Sequence, residues 1–135
     1  MNHAAIRNEI RRRVVAATAI NPVTDLKLEG QNYENGGKAF WVEEYLIGGA
    51  LRAMTNCRSK VSSYLVQYDI CCPVGTALDA LEDKAAAVES ALYDAAFVVG
   101  GIDCHVRQIK TSRAEGKLCN AIKVLLTVEL NSSGG

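Results

Sequence analysis

The pattern of hydrophobic and polar positions is most regular between residues 63 and 96. From Tyr64 to Cys72 every second residue is apolar, which is typical of a strand with one buried face. Pro73 and Gly75 end this strand, and the segment Thr76–Asp79 has the spacing of a capping box. Apolar residues then recur at helical spacing as Leu78, Leu81, Ala85, Val88 and Leu92. The segment therefore predicts a strand, a tight turn and an amphipathic helix that ends near Ala96.

The amino-terminal part predicts one helix and two further strands. From His3 to Thr18, one apolar stripe is formed by Ile6, Ile10, Val14 and Ala17. Asn21 and Pro22 stop this helix, and a short strand is predicted over 25–30 before a turn-rich segment. Residues 38–47 predict a second strand that is rich in aromatic residues. Residues 50–62 show too little pattern for an element, and we expect a loop there, at most with one helical turn near Leu51.

The carboxy-terminal part predicts an antiparallel hairpin. Apolar and polar residues alternate over 102–107, after Gly100 and Gly101, and again over 118–130, which predicts two strands. Residues 111–116 between them predict a polar turn. The predicted order is α-β-β-β-α-β-β. This order favours an α+β fold, in which a mostly antiparallel sheet of about five strands carries two helices on one face. We expect a single domain over 1–131 and a flexible tail over 132–135.

Composition narrows the partners that the chain could have. Lysine and arginine total 15, which equals the 15 of aspartate and glutamate, so no global basic field attracts nucleic acid or a membrane surface. A net charge of zero does little to oppose self-association. No long apolar run follows the amino-terminal arginines, so we expect neither a signal peptide nor a membrane span. The five cysteines are an odd number, and four of them lie in predicted strands, which favours a reducing cytosol.

Candidate chemistry is sparse, and we predict no catalytic, cofactor or metal site. His3 and His105 are the two histidines available as a general base. Cys71 and Cys72 are adjacent on a strand, so they point to opposite faces and cannot clasp one metal. No glycine pair has the context of a phosphate-binding loop. The adjacent acidic pairs (Glu43 and Glu44, Glu82 and Asp83) and the basic helix face (Arg7, Arg11, Arg12 and Arg13) are expected to be solvated.

Two consecutive aromatic residues on the second predicted strand indicate an interaction surface. Phe40 and Trp41 must point to opposite faces, so at least one of them leaves the side that the helices cover. An exposed aromatic side chain favours an interface. Equally, Trp41 could lie under the loop of residues 50–62. Both interpretations remain open at this point.

With these motifs the whole chain resembles the tail terminator proteins of long-tailed bacteriophages, in the group related to the lambda minor tail protein that closes the tail tube. The resemblance covers about residues 2–130. It rests on the order of elements and on three signatures: Leu26–Asn32, Ala39–Ile47, and Tyr68–Ile70 running into Pro73–Thr76 before an alanine-rich helix.

The resemblance implies a structural protein without enzymatic turnover. Proteins of this family form hexameric rings that cap the tail tube, stop its polymerisation and offer a docking surface to the filled head. The implied partners are further copies of the chain, the tail tube protein and a head-completion or connector protein. Genomic DNA would pass through the lumen in transient, unspecific contact, and no membrane is involved. The implied location is the head-proximal end of the virion tail, after assembly in the cytoplasm of the host bacterium.

A closed ring needs two different complementary patches on each subunit. We expect one patch on the aromatic second strand with residues 48–62, and the other on the turn of residues 111–117. The predicted interface residues are Phe40, Trp41, Tyr45, Arg52, Met54, Arg58, Lys60, Arg113 and Lys117. The segment Leu51–Lys60, which contains a cysteine and two arginines, departs from the usual pattern of the family.

Two alternatives remain. A head-to-tail connector or head-closure protein fits the same composition, and the partner that is bound would separate it from a terminator. A small thiol-dependent enzyme or ligand-binding domain would use Cys57, because the neighbouring Arg58 favours the thiolate. The substitution Cys57→Ser would abolish such an activity and leave a structural role intact.

Overall fold

In a computed structural model, residues 3–31, 36–47, 52–56, 59–76, 78–116 and 119–131 are described, with the backbone alone for 52–56 and 59–62. These residues form two helices and seven strands: α1 (His3–Thr18), β1 (Leu26–Lys27), β2 (Trp41–Leu46), β3 (Arg52–Asn56), β4 (Ser59–Pro73), α2 (Leu78–Leu92), β5 (Ala96–Val99), β6 (Ile102–Glu115) and β7 (Cys119–Asn131). The predicted α+β class, with two helices on one face of a mostly antiparallel sheet, is confirmed.

One sheet contains all of the described strands, in the order β1-β2-β4-β7-β6-β5. The short β1 pairs with β2 in parallel, and the other pairs are antiparallel. β3 pairs with residues 59–63 of β4, whereas β2 pairs with residues 66–71 of the same strand. Since β7 occupies the other side of β4 from Val61 to Pro73, β2 and β3 share one edge of β4.

The core lies between the sheet and the two helices. Alternate residues of the two central strands are fully or almost fully buried there: Tyr64, Val66, Tyr68, Ile70 and Cys72 on β4, and Ile122, Val124, Leu126, Val128 and Leu130 on β7. The helices contribute Ile6, Ile10 and Val14 from α1, and Leu81, Ala85, Val88 and Leu92 from α2. Burial of each such aliphatic side chain contributes about 1.5–3 kcal/mol. The predicted apolar stripes are therefore the faces that build the core.

The expectation of a loop was wrong for residues 52–56 and 59–62, whereas the helical turn expected near Leu51 lies outside the described residues. β3 and the first residues of β4 form an antiparallel hairpin there, with Arg52 opposite Ser63 and Asn56 opposite Ser59. The segment is too polar to show the alternation of a half-buried strand. It is extended because β7 continues the ladder of β4 as far as Val61, which holds the backbone in register independently of side-chain pattern.

Two further boundaries differ from the prediction in the carboxy-terminal half. The expected turn over 111–116 was wrong, because Thr111–Glu115 pairs residue by residue with Asn120–Val124 of β7. α2 ends at Leu92, and Asp94 follows it with a left-handed φ of 54° that a helix cannot continue. Residues 96–99, expected to end or follow the helix, form β5 against β6 through the Gly100–Gly101 turn.

Candidate assembly surfaces

The three aromatic residues of the predicted first patch lie on two faces of the sheet. Phe40, just before β2, packs on the helix side, where the ammonium of Lys84 lies 5.0 Å from its ring centroid. Trp41 and Tyr45 lie on the opposite side, which we call the helix-free face. Trp41 nevertheless has only 2% of its surface exposed, and Tyr45 is half-buried.

Small residues of the sheet itself bury Trp41. Cys71, Ala121 and Ala114 are successive cross-strand neighbours of Trp41 on β4, β7 and β6. These residues, together with Cys119, form the second cluster of the protein around the indole. Within the described residues, the indole is therefore covered by neighbours on its own sheet. The interpretation of Trp41 as an exposed aromatic is therefore wrong. Cover by residues 50–62 is not tested, because the side chains of that segment lie outside the described part of the chain, and the interface role of Trp41 stays a prediction.

Glu43 is the centre of a polar cluster beside Trp41. The indole Nε1 donates a hydrogen bond of 2.9 Å to Glu43 Oε2, and the Tyr45 hydroxyl donates to Oε1. The Cys71 Sγ lies 3.9 Å from Glu43 Oε2. Burial, followed by the nearby Glu43 carboxylate, raises the pKa of Tyr45 and the pKa of Cys71. At neutral pH both groups therefore remain protonated donors, and the cysteine is a poor nucleophile.

A second carboxylate continues this polar stripe across the sheet. Asp69 is the register partner of Glu43 on one side and of Lys123 on the other. It accepts a hydrogen bond of 2.7 Å from Gln67 Nε2. Burial raises the pKa of Asp69, while the hydrogen bond and the lysine oppose this. The centre of the helix-free face is therefore a half-buried polar network to which the Trp41 indole is hydrogen-bonded.

The remaining predicted interface residues are spread over the two lateral parts of the sheet. Arg52 and Met54 are positions of β3, and Lys60 is the second residue of β4. Arg113 is half-exposed on β6, where its guanidinium pairs with Glu82 of α2. Arg58 and Lys117 lie outside the described residues. The structure thus places these described positions on three strands, β3, β4 and β6, and not in one cluster.

Open strand edges lie on both lateral sides of the described sheet, at β1 and β3 on one side and at β5 and the end of β6 on the other. β3 pairs with β4 alone, so the described residues leave its other side without a strand partner. β5 covers only residues 102–105 of β6, and Gln108–Glu115 has β7 on one side and no described strand on the other. The register shifts between Val106 and Gln108, which marks a bulge where β5 stops. Such edges present backbone donors and acceptors that can pair with another chain.

A groove runs between α2 and the open part of β6. One cavity of about 270 Å³ lies between Glu82, Ala86 and Glu89 of α2 and the strand segment Thr111–Arg113. A second cavity of about 480 Å³ continues from Glu89 and Tyr93 to Arg107–Ile109. Glu89 lines both cavities, so they form one groove along the strand edge. Tyr93, 79% exposed, stands at its end.

A buried ion pair that the sequence analysis missed fixes α1 on β2. Arg11 donates to both carboxylate oxygens of Glu44, from Nε at 2.9 Å and from Nη2 at 2.7 Å, and Tyr68 donates its hydroxyl to Oε2 at 2.7 Å. Glu44 is 4% exposed, so the expectation of a solvated side chain was wrong for it. The hydrogen bond to Glu44 raises the pKa of Arg11. The sequence contained a signal for this burial, because Glu44 occupies every second position together with Val42 and Leu46 and therefore lies on the core side of the strand.

The candidate catalytic and metal-binding residues are also placed. His105 is half-exposed on β6 and contacts the carboxylate of Asp94. Cys72 packs in the main core and Cys71 on the helix-free face, which confirms their opposite orientation. In the described parts of the chain, no group of three or more His, Cys, Asp or Glu side chains is placed to hold a metal ion. None of the described helices is long and apolar enough to cross a membrane. Cys57 lies outside the described residues.

Comparison with known proteins shows the fold alone. No family model matches the chain, and no curated protein matches it. Among 11 matching chains of solved structures, one is similar over 96% of this chain and 96% of its own length, with a TM-score of 0.68 and 17% sequence identity. Its name states no function. At this identity the likeness shows that the two chains share an α+β architecture over nearly their whole length.

Proposed function

We propose that this protein is a phage tail terminator. It forms a ring on the last ring of tail tube subunits, and in the family that it resembles this ring is hexameric. The ring stops polymerisation of the tube and presents the surface on which the head docks. Its partners are further copies of the chain, the tube protein and a head-completion or connector protein, with DNA in unspecific transit. It works as part of the virion tail and is assembled in the bacterial cytoplasm.

The observation that carries the proposal is the architecture itself. The resemblance implies two helices on one face of a largely antiparallel sheet, with the Pro73–Thr76 turn leading into the second helix. The chain has that arrangement, with the turn closed by a hydrogen bond of 3.2 Å from Thr76 N to Pro73 O and α2 beginning at Leu78. The helix then packs on the sheet through the face formed by Leu81, Ala85, Val88 and Leu92, which leaves the strand edges for assembly.

Open edges on both lateral sides of the sheet support a ring in particular. A cyclic ring forms through heterologous contacts, in which one surface of a subunit meets a different surface of the next. β3 and the end of β6 are unlike in sequence, and they lie on the two lateral sides of the β4–β7 pair. A subunit with two such edges can bind one neighbour on each side. A symmetric dimer would instead use the same surface twice.

The experiment is polymerisation of the purified tail tube protein encoded with this chain, with and without the chain, followed by negative-stain microscopy of tube lengths. A terminator is expected to arrest growth, so that tubes become shorter and carry a distinct ring at one end. Tubes of unchanged length without a ring would contradict the proposal. Binding to a head connector in place of the tube would identify a connector or head-closure protein.

A further inference from the structure

We propose that Arg7 of α1 and Tyr64 of β4 form a binding site for a carboxylate that another molecule supplies. The guanidinium and the phenol each donate hydrogen bonds to this carboxylate. The inference goes beyond the proposed function and does not depend on it, because both donors belong to a single chain. Tube capping and carboxylate binding are separate measurements, so either of them can fail alone.

Two donor atoms of this site are buried without an acceptor. Among the described residues, neither Arg7 Nε nor the Tyr64 hydroxyl has a hydrogen-bond partner. Tyr64 is 5% exposed, whereas Arg7 is half-buried and keeps part of its surface in solvent. Burial raises the pKa of Tyr64, and the nearby Arg7 cation opposes this rise. Arg13 Nε is also unpaired, but a carboxylate oxygen of Glu9 lies 3.6 Å from it. Buried donors without an acceptor are rare in folded proteins, so the two in this site call for a ligand.

A second arginine and tyrosine on the same two elements show which ligand such donors bind. Arg11 lies one helical turn after Arg7, and Tyr68 lies on the same face of β4 as Tyr64. Both donate to Glu44, the guanidinium from Nε at 2.9 Å and Nη2 at 2.7 Å, and the phenol at 2.7 Å. The planar guanidinium matches the two oxygens of a carboxylate. A carboxylate is therefore the class of ligand that the chain itself indicates for the first pair.

The sequence around the two donors contains no carboxylate for them. Residues 1–8 and 47–64 include neither aspartate nor glutamate. Within the described residues, the other arginines of α1 have carboxylate partners: Arg11, Arg12 and Arg13. Arg7 has no such partner among these residues. The carboxylate of the proposed site therefore comes from another molecule.

The position on α1 also favours an anion. The first turn of this 16-residue helix contains no acidic residue. Its backbone N–H groups form the positive end of the helix dipole, which attracts negative charge. Arg7 is the fifth residue of α1, and helical side chains lean towards the amino-terminal end. The charge of Arg7 therefore adds to that of the helix end.

The first test is a titration of the full isotope-labelled chain with sodium acetate, in which NMR follows the Nε–Hε signals of the arginine side chains. Acetate replaces chloride at constant ionic strength and neutral pH. The Arg7 signal should shift until it saturates, whereas those of Arg11 and Arg12 should stay, because Glu44 and Glu9 already bind them. No saturable shift at Arg7, or equal shifts at all three arginines, would overturn the inference. A larger shift with inorganic phosphate than with acetate would also overturn it.

Two matched pairs of variants test the assigned donors. Tyr64→Phe removes one hydroxyl and should weaken acetate binding about tenfold, because a hydrogen bond to a charged acceptor is lost. Arg7→Lys keeps the charge but loses the planar fork, and it should weaken binding by a similar factor. Tyr68→Phe and Arg12→Lys make the same changes at donors that already have carboxylate partners, and they should leave the acetate affinity nearly unchanged. Equal affinities within either pair would contradict the site.

Thermal unfolding without acetate gives a readout that does not depend on the ligand. Tyr64→Phe should not lower the melting temperature, because its hydroxyl has no acceptor within the described residues, whereas Tyr68→Phe should lower it. An equal loss in both variants would show that Tyr64 already has an acceptor, and it would overturn the inference.

Once acetate binding is established, a dilution series without acetate identifies the source of the carboxylate. If a second copy of the chain supplies it, the Arg7 signal should move towards its acetate-bound position as the protein concentration rises. A signal that does not change with concentration assigns the carboxylate to a different molecule.

Discussion

Removal of Arg11 tests the idea that a buried ion pair fixes α1 on the sheet. In Arg11→Met, the side chain keeps most of its apolar stem and a similar helix propensity, but Glu44 loses two of its three hydrogen-bond donors. The carboxylate is 4% exposed and would be left buried with the Tyr68 hydroxyl. Breaking one side of a buried pair costs about 3–5 kcal/mol. For a chain of 135 residues this corresponds to a melting temperature lower by on the order of 10–20 °C.

Arg12→Met is the matched control for this substitution. Arg12 is the next residue of the same helix and also has a bidentate carboxylate partner, Glu9, but 66% of its side chain is exposed. An exposed pair of this spacing contributes about 0.3–0.5 kcal/mol. The difference between the two variants therefore isolates the effect of burial. In addition, Arg11→Met combined with Glu44→Leu should recover part of the lost stability, because no charge is then left buried, while the buried Tyr68 hydroxyl still loses its acceptor.

The assay is urea unfolding at neutral pH, followed by far-ultraviolet circular dichroism and by the fluorescence of Trp41. Both probes should give the same midpoint if unfolding is cooperative. A loss of less than about 1 kcal/mol in Arg11→Met, indistinguishable from Arg12→Met, would refute the reasoning. It would mean that water reaches Glu44 and that the pair is no stronger than one on the surface.

Three further predictions concern the helix-free face and a turn. Burial raises the pKa of Asp69, so its contribution to stability is full below the unfolded pKa and is lost as pH rises through the folded pKa. The free energy of unfolding of Asp69→Asn, measured by urea titration, should therefore increase relative to that of wild type between pH 3.5 and pH 7. A difference between the two proteins that does not change with pH would contradict this. Trp41, the single tryptophan, should be quenched by iodide several-fold less in the folded than in the unfolded chain, and equal quenching would refute its burial. Gly116→Ala places a Cβ 2.8 Å from the backbone oxygen of Cys119, and it should lower the free energy of unfolding by about 1–3 kcal/mol in thermal unfolding. The control Gly36→Ala, whose Cβ has nothing within 4 Å, should be nearly neutral. Equal effects of the two substitutions would argue against the close approach at Gly116.

The parts of the fold that the sequence predicted are those where side-chain burial decides the structure. The alternation over Tyr64–Cys72 and the helical stripes of α1 and α2 correspond to buried faces, so their pattern is visible in the chain. Local chemistry also predicted the turn at Pro73–Gly75 and the opposite orientations of Cys71 and Cys72. Each of these features depends on residues that are close in sequence.

The features that were missed depend on pairing with distant strands. β3 and the start of β4 are polar, and they are extended because β7 holds the neighbouring ladder. Thr111–Glu115 appears turn-like from composition, yet it is a strand because Asn120–Val124 pairs with it. Glu44 is buried because Arg11, which precedes it by 33 residues, reaches it from the helix. Periodicity within one segment contains no information on such partners.

The most direct measurement is the fraction of tail tubes that end in a ring, counted by negative-stain microscopy after polymerisation of the tube protein with or without this chain. The account predicts shorter tubes that end in a ring when the chain is present, and longer tubes without a ring when it is absent. Tubes of the same length without a ring in both samples would contradict the terminator function.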